Sequence, residues 1–171
     1  QEAWRQLPSF NAQELSNTAW AMATMGHQDA AFMGALLLEA GRLLPSFNPH
    51  ELVNTAWAMA KLGHEDGAFL GALLLEAGRQ MAGFTTQNMA NTAWAMATMG
   101  YHDCSFLCAL LLEAERRLPD FIPQGLAKLA WAMTTLRYHD DAFLGALLQE
   151  AWRQLPSFNA QDLANTAWAM A

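Results

Sequence analysis

NTAWAMATMG at 17–26 returns as NTAWAMAKLG at 54–63, as NTAWAMATMG at 91–100, as KLAWAMTTLR at 128–137 and, cut short, as NTAWAMA at 165–171. The tryptophan at its centre falls at Trp20, Trp57, Trp94, Trp131 and Trp168, each 37 residues after the one before. Self-similarity at a fixed period of this size marks an array of small structural units, each too small to bury its own apolar face. Counted from the recurrent phenylalanine, whole units run 10–46, 47–83, 84–120 and 121–157. Residues 1–9 read as the end of a preceding unit and 158–171 as the first helix of a further one. Position 1 is Gln, and neither end carries an atypical polar unit of the kind that caps such arrays, so the chain is expected to be a fragment of a longer protein, without a targeting segment of its own.

Residues 47–83 show how one unit is built. Asn48, Pro49 and Glu51 stand where a helix start needs an N-cap, a proline in the first turn and an acidic residue at the third position. Leu52, Ala56, Met59 and Leu62 then recur at helical spacing, and Gly63 supplies a left-handed residue to end the helix. Asp66, in a column shared with Asp29, Asp103 and Asp140, is placed to cap a second helix. Phe69, Leu73, Leu74 and Ala77 form the apolar stripe of that helix, while Glu76 and Arg79 can pair on its wet side. The same pairing is open to Glu39 with Arg42, Glu113 with Arg116 and Glu150 with Arg153. Pro45, Pro119 and Pro156 stop the second helices. No strand pattern appears. The expected fold is all-α, a right-handed α-α superhelix, or solenoid, of 37-residue helical hairpin repeats.

The composition fits an array of thin apolar layers. Of 171 residues, 53% are hydrophobic and 15% charged, which excludes a disordered chain, and two cysteines exclude a disulfide framework. The net charge of -7 gives no general basic surface for nucleic acid or membrane, so any polyanion must be held by local chemistry. The first three whole units each carry -2, whereas the fourth sets Lys128, Arg137 and Arg153 against Asp140, Asp141 and Glu150 and is neutral. The longest apolar run, 30–38, is nine residues and too short to span a bilayer.

The tryptophan column has two readings: core wedges between neighbouring helices, and an aromatic ladder on which nucleobases stack. Flanking alanines such as Ala19, Ala21 and Ala23 leave room for close helix approach and favour the core. The columns Phe10, Phe47, Phe84, Phe121, Phe158 and Phe32, Phe69, Phe106, Phe143 are expected in the core, with Met22, Met59, Met96, Met133 and Met170 filling gaps.

Removing the core side of each first helix leaves a polar stripe. Gln13, Asn17 and Thr24 share a face, as do His50, Asn54 and Lys61, then Gln87, Asn91 and Thr98, then Gln124, Lys128 and Thr135, and finally Gln161 and Asn165. Amides and hydroxyls read base edges with little charge, and helical-repeat RNA binders read about one base per repeat with two or three side chains. Alternatively, the asparagine column forms a hydrogen-bond ladder between units, a role that Lys128 interrupts.

Catalytic and metal-binding signals are weak. Cys104 and Cys108 are four apart on a second helix, but their columns otherwise hold Ala, Gly or Asp and Gly, so they are expected to be small buried residues; no further ligands follow at zinc spacing. His27, His64, His102 and His139 lie in inter-helix turns with no recurrent nucleophile beside them. No phosphate-binding glycine motif occurs. The segment is read as having no enzymatic activity, cofactor or metal.

The 37-residue period, the N-T-A-W-A-M-A heart of the first helix and the D-x-x-F-x-x-A-L-L second helix resemble the heptatricopeptide and octotricopeptide repeats, relatives of the helical region of FAST-kinase-like, RAP-domain proteins. The resemblance covers essentially the whole chain. It implies an α-α superhelix that binds single-stranded RNA and serves organellar RNA processing, stability, translation or ribosomal RNA assembly, in the mitochondrion or chloroplast. Proteins of an organellar ribonucleoprotein are further implied partners. The acidic balance departs from a phosphate-binding surface and favours an alternative, a protein-protein interaction scaffold of the stacked-helix type.

Overall fold

The computed structural model describes residues 5–169; residues 1–4, Met170 of the methionine column and Ala171 lie outside the described residues. Every regular element among the described residues is helical. The chain divides into two compact units at Gly83 and Phe84.

The first unit contains α1 (Ala12–Met25), α2 (Ala30–Leu43), α3 (Pro49–Leu62) and α4 (Gly67–Arg79), with 3-10 turns at Leu7–Ser9, Leu44–Ser46 and Met81–Gly83. Helices α1 and α3 start on reciprocal caps. The Asn11 side chain accepts from the Glu14 amide at 2.9 Å while Glu14 accepts from the Asn11 amide at 2.8 Å, and Asn48 and Glu51 repeat the arrangement. Both end on glycines with φ of 65° and 64°, Gly26 and Gly63, whose missing Cβ makes the left-handed conformation inexpensive. Asp29 and Asp66 cap α2 and α4 by accepting from the amides of Phe32 and Phe69, each at 2.9 Å. Helix α1 packs on α3 and α2 on α4, giving a layer of first helices and a layer of second helices. Leu15, Ala19, Met22, Leu36 and Leu37 from the earlier hairpin, and Leu52, Ala56, Met59, Leu73 and Leu74 from the later one, are buried between them. Burying each of the larger of these side chains contributes roughly 1.5–3 kcal/mol.

The second unit contains α5 (Thr86–Thr98), α6 (Cys104–Glu115), α7 (Pro123–Thr135), α8 (Asp141–Arg153) and α9 (Ala160–Ala169), with 3-10 turns at Leu118–Asp120 and Leu155–Ser157. Helix α7 packs on both α5 and α9, and α6 packs on α8. Asp103 and Asp140 cap α6 and α8 as their counterparts do in the first unit. Two positions break the pattern. The N-cap of α7 is Ile122, which offers no side-chain acceptor, and the left-handed residue after α7 is Arg137, with φ of 52°.

A recurrent long-range bond joins the end of the second helix to the start of its own hairpin. Gln80 Nε2 donates to the Phe47 carbonyl at 2.8 Å, Arg117 Nη1 to that of Phe84 at 2.6 Å, and Gln154 Nε2 to that of Phe121 at 2.9 Å. Position 43, the same column, holds Leu. The expected ion pairs form, Glu76 with Arg79 at 2.9 Å, Glu39 with Arg42 at 3.5 Å, Glu113 with Arg116 at 3.3 Å and Glu150 with Arg153. Among the described residues, no helix is long and apolar enough to cross a membrane.

Candidate nucleic-acid interface

Two sequence expectations change once the helices are packed. The tryptophans are not fully enclosed wedges: Trp20 and Trp168 are 46% and 52% exposed, and Trp57, Trp94 and Trp131 are half-buried. The fully enclosed aromatic side chains are phenylalanines, Phe47, Phe84 and Phe143. The reason lies in the spacing, since Trp20 is three residues after Asn17 and four before Thr24, on the edge of the polar stripe itself. Cys104 and Cys108 are exposed rather than buried. Their helix face points to solvent, and Cys108 bonds the Tyr138 hydroxyl, which is the first cause of a Tyr138 pKa above the ordinary tyrosine range.

Most of the polar stripe reaches solvent along the first helices. On α1, Gln13 and Asn17 are exposed, while Thr24 turns its hydroxyl back to the Trp20 carbonyl at 2.9 Å. On α3, exposed His50 and half-buried Asn54 bond each other at 3.1 Å, and Lys61 is exposed in the last turn, where its charge complements the carbonyl end of the helix. On α9, Gln161 donates to Asn165 at 3.1 Å. These bonds stay within their own helices.

Helices α5 and α7 differ, because their polar side chains converge. Lys128 Nζ donates to Asn91 Oδ1 at 2.7 Å across the two helices. Together with Gln87, Gln124, Phe121 and Ile122 the pair lines a cavity of about 260 Å3. Phe121 and Ala90 give it an apolar floor, and the exposed Ile122 forms its rim. Gly125 underlies it: a Cβ there would meet the Phe121 ring at 3.0 Å. Burial pushes the Lys128 ammonium below the usual lysine range, and the Asp162 carboxylate of α9 acts in the opposite sense. Sequence spacing brought Gln87 to Asn91 and Gln124 to Lys128 along single helices, and the packing of α5 on α7 brings the two pairs together. The floor and rim, from Phe121 and Ile122, were not expected as part of a site. The signal for the rim was an Ile in a column otherwise held by Asn11, Asn48, Thr85 and Asn159.

Among the described residues, no group of three or more His, Cys, Asp or Glu side chains could hold a metal ion. These features define an all-helical, repeat-like protein whose first helices bring amides to solvent beside tryptophans. The chain belongs to the family described as the Tbc2 translation factor, N-terminal domain, which it matches over residues 29–143. No curated protein is similar enough to count as a match.

Proposed function

We propose that the chain is an RNA-binding helical-repeat module of an organellar RNA processing, stability, translation or ribosomal RNA assembly factor. It holds single-stranded RNA along the polar faces of its first helices. The observation that carries this reading is that a polar and a tryptophan column both reach solvent side by side, exposed at Asn17 with Trp20 and half-buried at Asn54 with Trp57 in the first unit and at Asn91 with Trp94 and Lys128 with Trp131 in the second. Aromatic faces accept any base by stacking, and the neighbouring amides read its edge. Membership of a translation-factor domain family supports RNA as the partner. The 37-residue period and the likeness to heptatricopeptide and octotricopeptide repeats support an α-solenoid and a place in the mitochondrion or chloroplast. The module binds and positions RNA and has no catalytic step of its own.

Titration of a labelled single-stranded RNA at two salt concentrations tests this. The stripe carries only two cations, Lys61 and Lys128, so the logarithm of affinity should fall against that of salt with a slope no steeper than about -1.4, far shallower than for a basic binder. Asn17→Ala with Asn54→Ala should weaken binding while changing stability by no more than about 0.5 kcal/mol, because neither side chain bridges to another helix. Absence of any RNA retention at low salt rejects the reading. A protein-binding scaffold then takes its place, favoured by a second, apolar groove of about 490 Å3 lined by Leu148, Trp152, Leu155, Phe158 and Leu163.

A further inference from the structure

The cavity between α5 and α7 differs from the rest of the polar stripe in what it can offer a ligand. A lysine ammonium only donates, so the Asn91 atom facing Lys128 at 2.7 Å is its carbonyl oxygen. That bond occupies the asparagine's acceptor and leaves its Nδ2 hydrogens free. The remaining ammonium hydrogens of Lys128 and the Asn91 amide hydrogens therefore form a donor-only edge, flanked by the exposed side-chain amides of Gln87 and Gln124. Where asparagine stands in place of Lys128, as at Asn17, Asn54 and Asn165, the side chain can both donate and accept and imposes no such polarity.

The size and walls of the cavity narrow the occupant. At about 260 Å3 it lies below the roughly 300–1,000 Å3 of pockets for whole drug-sized molecules and suits one flat ring system. The exposed Ile122, above the buried Phe121 and Ala90, provides apolar surface for a face of such a ring, and the same cavity is lined by the donors Lys128 and Asn91. A phosphate would leave that apolar surface unused.

We infer that this cavity is a base subsite that selects guanine over adenine, with the Lys128–Asn91 pair donating to the adjacent O6 and N7 acceptors of guanine. The inference rests on the RNA-binding reading and deepens it. Adenine presents N7 beside the N6 amino donor, so its amino hydrogens would face the donors of the protein. Lys128 thus makes the unit at 121–157 read a different base from units with asparagine in that column.

The test compares the 171-residue protein binding to an oligoadenylate of about nine nucleotides with the same oligomer carrying one central guanosine. Because the strand can slide, a single guanosine can find the subsite in any register. The guanosine should strengthen binding by about fivefold or more. Lys128→Asn, which installs the residue of the other units, should abolish this preference, whereas Lys128→Arg, which keeps the donors, should retain it. Circular dichroism melting confirms that the variants are folded, and retention of the preference in Lys128→Arg keeps the proposal testable if Lys128→Asn does not fold. Equal affinity of the native protein for the two oligomers overturns the inference while leaving RNA binding intact. So does an equal loss for both oligomers in Lys128→Asn with a shallower salt slope, which would make Lys128 a phosphate contact. Failure to bind either oligomer at low salt instead strikes the RNA-binding reading itself.

Discussion

At the position after α7, Arg137 adopts φ of 52°, a conformation that Gly26, Gly63 and Gly100 take in the corresponding places. A side chain in the left-handed region costs roughly 1–2 kcal/mol, partly offset by the greater freedom that glycine has in the unfolded chain. Arg137→Gly should therefore stabilise the protein by about 0.5–1 kcal/mol, seen in calorimetry as a melting temperature higher by roughly 1–4 °C. This position was legible, since the glycine column visibly ends in Arg. The cysteines were misread because small residues in a column are equally at home in a tight contact and on a wet face. Asp141, which shares the Cys104 column, was the sign of solvent there, and a Cβ built at Gly34 or Gly145, in the Cys108 column, would meet nothing within 4 Å. The tryptophans were misjudged for a related reason. Size argued for burial, whereas helical phase places them at the margin of the stripe, where one part of the ring packs and another meets water.

Individual helices were the most readable scale, because their ends are decided by local chemistry. An asparagine or aspartate cap, a proline in the first turn and a terminal glycine act within a few residues of themselves and need no knowledge of neighbours. Helix α7 is the exception that tests the point. Its cap column holds Ile122, and the helix starts without a side-chain acceptor. Ile122→Asn should restore that bond and stabilise the protein by about 1 kcal/mol, measured by denaturant or thermal unfolding. Contacts between helices were less legible. The bonds from Gln80, Arg117 and Gln154 to carbonyls 33 residues earlier come from side chains of different types, and their column also holds Leu43, which cannot donate, so no single chemistry marks it. The Lys128–Asn91 bond was hidden similarly: the sequence placed each residue on a face, and only the packing of α5 on α7 makes them partners.

For the molecule as a whole, an acidic balance of -7 makes its response to acid informative. Arg153 first, then the Gln154 amide, hold the Glu150 carboxyl below the usual carboxylate range, and the Gln80 amide first, then Arg79, do the same for Glu76. Both carboxyls are depressed in the folded state, so the stability they confer is complete above the ordinary glutamate value of about 4.3 and is lost as pH falls through the lower folded value. The melting temperature should fall as the pH drops below about 5, and Glu76→Gln with Glu150→Gln should flatten that fall. A fall of unchanged steepness in the double variant would assign acid sensitivity to other carboxylates. The repeated glutamate at these positions also orients the Gln80 and Gln154 amides, accepting from them at 2.8 Å and 2.6 Å.

Those glutamine amides and the Arg117 guanidinium set an order in time. The carbonyls of Phe47, Phe84 and Phe121 each obtain their side-chain partner from a residue 33 positions further along the chain. A ribosome delivering roughly 5–20 residues per second supplies that partner about 2–7 s after the carbonyl itself has been made. Each of these hairpins is therefore fastened at its start only when its own last residues have been made, and the nascent protein is latched unit by unit as it emerges.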